Sequence, residues 1–176
     1  MDQVSRLSDT LLYFVPALLV LGAVYLMLKR YLDNDYKLRM IDLKKSSQKD
    51  VIPLRLQAYE RMCLFLERIT PGNLIMRTNK PGMNARDLHL ELLSAIRTEF
   101  EHNFSQQVYM SSRVWEVVKN AKEETIKLIN LAAASVPENS TGTQLSKAIF
   151  EIMLKTEKIP TQKALEIVKT EARQLF

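Results

Sequence analysis

Val114-Trp-Glu-Val-Val-Lys-Asn-Ala-Lys-Glu-Glu-Thr-Ile-Lys-Leu-Ile-Asn-Leu-Ala132 holds the most regular pattern in the chain. Val114, Val118, Ala121, Thr125, Leu128 and Ala132 recur at steps of 4, 3, 4, 3 and 4. That spacing places them on one face of an α-helix, where residues three and four apart are neighbours. The seam mixes small and branched side chains, which suits close antiparallel packing in a helical bundle. Trp115 stands beside the seam at its start, and Ser111 or Ser112 can cap the helix.

The pattern continues on both sides. Phe104–Met110 is less regular and reads as a bend. Before it, Leu88, Leu92, Ile96 and Phe100 line a helix that begins at Asn84 or Ala85 and runs to about His102. Tyr59, Met62, Leu66 and Ile69 fall at steps of 3, 4 and 3 and predict a helix over Leu54–Ile69. Pro53 suits its first turn, and Thr70-Pro71-Gly72-Asn73 its stop. Leu74–Arg77 reads as a short extended or single-turn piece. On the C-terminal side, Pro137–Gly142 is a polar linker to helices over about Thr143–Lys158 and Thr161–Leu175. Ile159-Pro160-Thr161 is their turn, with Thr161 as N-cap, and the two are expected to form a helical hairpin. Leu145, Ala148, Ile149 and Ile152 of the first, and Leu165, Val168, Ala172 and Leu175 of the second, are its candidate core.

Nineteen residues, Thr10–Leu28, pass without a charge, and eleven of them are Leu, Val or Phe. A helix of that length rises about 28 Å, close to the ~30 Å hydrocarbon core of a bilayer. A transmembrane helix over 10–28 is therefore expected. Arg6 alone precedes it, whereas Lys29, Arg30, Lys37, Arg39, Lys44, Lys45 and Lys49 follow. This bias argues against a cleaved signal peptide. It also directs the N-terminus outside and the C-terminal part into the cytoplasm. Residues 29–50 carry seven bases and four acids and read as a basic helical neck. Lys29, Arg30, Lys37, Arg39, Lys44 and Lys45 would face anionic lipid, with nucleic acid as the rival partner. Leu32, Tyr36, Met40 and Leu43 make a narrow stripe there, either a solvated stalk or a short coiled-coil seam between two copies.

The expected organisation is mainly α. A short outer tail (1–9) leads to the span (10–28) and the neck (29–50), then to a helical bundle (51–136) and the terminal hairpin (137–176). Only four glycines in 176 residues argue against a hairpin-rich sheet. Cys63 is the sole cysteine, which excludes a disulfide framework and a thiolate metal cage.

Two clusters carry possible chemistry. Glu60-Arg61 and Glu67-Arg68 repeat one heptad apart. They are either solvated and paired along the helix or a fixed interhelical pairing element, and they are the candidate partner-binding residues. Glu99-Phe-Glu-His102 has the Glu-x-x-His spacing of di-iron bundles, but such sites need a second copy of the motif. The other histidine, His89, has Arg86 three residues before it, so no metal is expected. His89 is read as a hydrogen-bonded core residue, and Glu99, His102 and Asn103 as a polar network fixing the bend. The terminal hairpin lacks the concentrated basic face of a DNA reader.

Pro53-Leu-Arg-Leu-Gln-Ala-Tyr-Glu-Arg-Met-Cys-Leu-Phe-Leu-Glu-Arg-Ile-Thr-Pro71, Glu101-His-Asn-Phe-Ser-Gln-Gln-Val-Tyr109 and Trp115-Glu-Val-Val-Lys-Asn-Ala-Lys-Glu-Glu124 with Ile126-Lys-Leu-Ile-Asn130 carry a resemblance. Over about 53–131 the chain resembles an uncharacterised family of small single-pass bacterial membrane proteins. The resemblance implies a bacterial inner-membrane setting and transfers no catalytic residue. The expected function is a non-catalytic, membrane-tethered scaffold or adaptor, without cofactor, that engages a protein partner or itself. The alternatives are an enzyme or metal-binding protein using Glu99 and His102, and an anionic-lipid or nucleic-acid binder through residues 29–50.

Overall fold

In chain order the helices are α1 (Asp2–Ile69), α2 (Pro71–Thr78), α3 (Ala85–His102), a 3-10 helix (Phe104–Tyr109), α4 (Ser112–Ser135), α5 (Gly142–Lys155) and α6 (Pro160–Arg173). This computed structural model describes residues 2–174, and within them the side chains of all but 2–17, 41, 43–48 and 50. The chain divides into two units, Met1–Asp50 and Val51–Phe176.

The second unit is a bundle built round α4. All six seam residues from Val114 to Ala132 are buried, together with Trp115 and Ile129. Both α5 and α6 pack against α4, and α3 packs against α4 and α5. The two C-terminal helices are thus walls of the same bundle rather than a hairpin set apart. Leu145 and Ile149 of α5 and Ala164 and Val168 of α6 reach the core, while Ala148, Ile152, Leu165 and Ala172 pack at its edge. Leu175 lies outside the described residues. Tyr59, Met62, Phe65, Leu66 and Ile69 of α1 join Leu88, Leu92 and Ile96 of α3 in the same cluster.

Capping fixes the helix starts. The Ser111 hydroxyl accepts from the Val114 N–H, and Asn84 Oδ1 accepts from the Asp87 N–H at 2.7 Å. Thr141 and Gln144 form a reciprocal capping box at the start of α5. The loops before α3 and α5 meet in a single antiparallel bridge, Asn84 with Thr141. There the Gly142 N–H donates to the Met83 carbonyl at 2.7 Å, and the Ala85 N–H to the Ser140 carbonyl at 2.8 Å.

The transmembrane expectation is overturned. Among the described residues no helix is long and apolar enough to cross a membrane. The helix passes without a break from the apolar residues that end at Leu28 into Lys29, Arg30, Asp33 and Asp35. The side chains of residues 10–17, counted toward the span from sequence, lie outside the described ones. Lys29, Arg30, Lys37 and Arg39 are exposed, and Arg39 Nε pairs with Asp35 Oδ2 at 2.9 Å. The side chains of Lys44 and Lys45 lie outside the described set.

Three local expectations also change. Pro53 does not open a helix of its own, because α1 runs through it. Leu74–Arg77 belongs to a full helix, α2, which starts on Pro71 directly after α1 ends. Proline is tolerated at that first position because its missing N–H would have no intrahelical partner. The cap of α6 is Ile159, since Pro160 takes the first helical position. Thr161 is buried instead, with its hydroxyl 2.8 Å from that of Thr70.

Candidate functional site

Residues on α1 and at the C-terminal end of α3 line an open groove of about 310 Å³. Gln57, Glu60, Arg61, Leu64, Phe65 and Arg68 come from α1, and Glu99, His102 and Asn103 from the end of α3. Both clusters singled out from sequence therefore meet in one place. Glu67 does not join them: it is exposed, and its backbone carbonyl accepts from Asn73 Nδ2 at 2.9 Å.

Glu99 is the pivot. Arg68 Nη1 lies 3.3 Å from its carboxylate and Arg77 Nη1 3.4 Å from it, so α1 and α2 each deliver a guanidinium to the same group. The Glu99 side chain is 18% exposed. A carboxylate held between two arginines is committed to ion pairing. Asn103 is buried and its Nδ2 donates to the Glu99 backbone carbonyl at 2.8 Å. It closes α3 through the main chain and leaves the Glu99 carboxylate to the arginines. His102 is exposed on the groove wall. No cluster of three or more His, Cys, Asp or Glu able to hold a metal occurs among the described residues.

The groove floor is stiffened by aromatic packing. Phe65 tilts onto Phe100, which stacks on Trp115 with centroids 5.4 Å apart. Phe104 meets Phe100 and Trp115 edge-on, and Lys122 Nζ sits 4.2 Å from the Phe100 centroid. Offset and edge-on pairs of this kind add roughly 0.5–1.5 kcal/mol each beyond their buried area. Leu64 remains half-exposed on the groove wall.

His89 is half-buried, with Nε2 2.7 Å from Asn130 Oδ1. A second polar cluster escaped the sequence entirely. The Glu171 carboxylate accepts from the Tyr59 hydroxyl at 2.5 Å, from the Ser111 N–H at 3.0 Å, and from the Ser111 hydroxyl. It joins α6, α1 and the cap of α4. Arg77 was missed in the same way. No local spacing could show either, because the partners are far apart in sequence.

A family model described as a family of unknown function (DUF7935) matches residues 5–175. The chain belongs to DUF7935. No curated protein and no solved structure matches it. The DUF7935 match runs through both units, so the helix before Val51 is as much a part of the family pattern as the bundle. The stretch 53–131 that carries the resemblance noted from sequence falls inside the DUF7935 match.

Proposed function

We propose that this member of DUF7935 is a non-catalytic adaptor whose α1–α3 groove takes an acidic helical segment of a protein partner. One observation supports it most: Arg61, Leu64 and Arg68 share one open groove in which the main carboxylate, Glu99, is already matched by two guanidiniums. Arg61 is exposed on the rim. An arginine in this position pairs with a carboxylate in a fixed fork geometry, and Leu64 offers an apolar contact next to it. Glu60, also exposed on the rim, would meet a basic neighbour on the same partner helix and set its register.

Crosslinking in intact cells, followed by purification and identification of neighbours, tests this reading. Arg61→Glu should reduce recovery of the crosslinked partner roughly tenfold, about 1.4 kcal/mol, without changing the melting of the bundle. Unchanged partner recovery from Arg61→Glu and Leu64→Asp chains would sink the proposal. So would stoichiometric metal in the purified protein that is lost on His102→Ala.

A further inference from the structure

Residues 18–40 form helix, and every side chain among them is exposed except Asp35, which is partly so. An isolated helix in water gains little from its own hydrogen bonds, and most helical stability comes from burying one face. Apolar side chains left open on this scale mark an interaction surface. The sequence says which face and which occupant.

Val20, Val24, Met27, Tyr31, Asn34 and Leu38 recur at steps of 4, 3, 4, 3 and 4. Val20, Val24, Met27, Tyr31 and Leu38 are each more than half exposed. This is a coiled-coil seam, in which Asn34 is the single polar member. A polar residue in such a seam costs stability and favours the register that sets it opposite its own copy. The charges beside the seam are sorted. Arg30 and Lys37 flank it on one side, seven residues apart; Asp35 and Asp42 flank it on the other, also seven apart. In a parallel, in-register pair each flanking residue faces the one five positions later on the other strand. Arg30 then meets Asp35, and Lys37 meets Asp42. An antiparallel pair would set base against base and acid against acid. The neighbouring face, with Tyr25, Leu32 and Tyr36, has Lys29 and Arg39 set among them and offers no such matched rows.

We propose that residues 18–42 pair with the same segment of a second copy of this chain as a parallel, in-register, two-stranded coiled coil. Asp35, held by Arg39 of its own helix in the single chain, exchanges that exposed pair for Arg30 of the other strand. The pairing is independent of the groove on the bundle.

Two charge-reversed full-length chains test it. One carries Asp35→Lys with Asp42→Lys; the other carries Arg30→Glu with Lys37→Glu. Light scattering should give a two-copy mass for the unaltered chain. Each variant alone should associate roughly tenfold or more weakly, because all its flanking contacts become repulsive. An equimolar mixture should regain the two-copy mass, because every contact between unlike chains is then favourable. In a Cys63→Ser background, Leu38→Cys should oxidise to a covalent dimer and Asp33→Cys should not. A one-copy mass for the unaltered chain, a mixture no heavier than its components, or equal crosslinking at the two cysteine positions would each overturn the proposal. Recovery from the mixture also shows that the variants fold.

Discussion

Glu171 shows how one side chain can hold three helices. Burial alone would push its carboxyl up, but the hydroxyl of Ser111, the hydroxyl of Tyr59 and the Ser111 N–H outweigh that, helped by the charge of Arg55. The carboxyl consequently lies below its ordinary value. Tyr59 moves the other way: burial comes first, then its bond to Glu171, and both favour the neutral phenol. A carboxyl whose pKa is lower in the folded state stabilises the fold above its unfolded value, and that stabilisation is lost as pH falls through the folded value. Glu171→Gln should therefore destabilise the bundle at neutral pH by about 1–2 kcal/mol, the worth of hydrogen bonds to a charged group less what the amide oxygen retains. The gap between variant and wild type should close below about pH 4, the ordinary carboxylate range. Urea unfolding at pH 7 and pH 3.5 measures both, and a pH-independent gap would show that shape rather than charge matters here.

Between elements, the bridge joining the loops before α3 and α5 is a tightly constrained contact. A Cβ at Gly142 would lie 2.9 Å from Asn79 Oδ1 and 3.0 Å from the Met83 carbonyl oxygen. The Asn79 amide can swing away, but the Met83 carbonyl is fixed because the Gly142 N–H bonds to it. Alanine brings up to about 1 kcal/mol of helix propensity, less at a first-turn position, against a steric cost of about 1–3 kcal/mol. The clash should win, so Gly142→Ala should lower stability. Thr141→Ala, which removes the adjacent cap, should cost about 1 kcal/mol by itself. Thermal melts of the two single variants and the double would reveal coupling, since both act on one turn.

Elements were legible where their side chains repeat. The α4 seam and the Leu88, Leu92, Ile96 face follow from a period near 3.6, and the buried residues are those the period names. Boundaries failed where a breaker residue has two uses. Pro71 and Pro160 open helices, whereas Pro53 lies within one. The charge-free run over 10–28 reads as a span by its length and apolar content, with the charged helix after it as a neck, yet among the described residues no helix is long and apolar enough to cross a membrane. For the groove, Glu60, Arg61 and Arg68 were visible as a heptad repeat and Glu99 as half a motif. Their meeting was not, since the Arg68–Glu99 and Arg77–Glu99 pairs join residues 31 and 22 apart.

At the scale of the whole chain, the division between Asp50 and Val51 separates two sources of order. Among the described residues the buried core lies within the second unit, and its α1 share begins at Ala58. A polypeptide of residues 51–176 should thus unfold in one cooperative transition, with a heat-capacity change of about 1.5–1.9 kcal/mol/K by the usual per-residue value. Its midpoint should not depend on protein concentration. A polypeptide of residues 71–176 lacks Tyr59, Met62, Phe65, Leu66 and Ile69 and should show no such transition. The full chain should differ from the first fragment in one respect. If residues 18–42 owe their helix to a second copy, part of its helical signal must melt at a temperature that rises with concentration, by mass action. Calorimetry and circular dichroism over a hundredfold range of concentration distinguish the cases. A concentration-independent full chain would mean that the first unit is held by something other than its own kind. A fragment 51–176 without a transition would mean that the bundle is not the self-sufficient body its core describes.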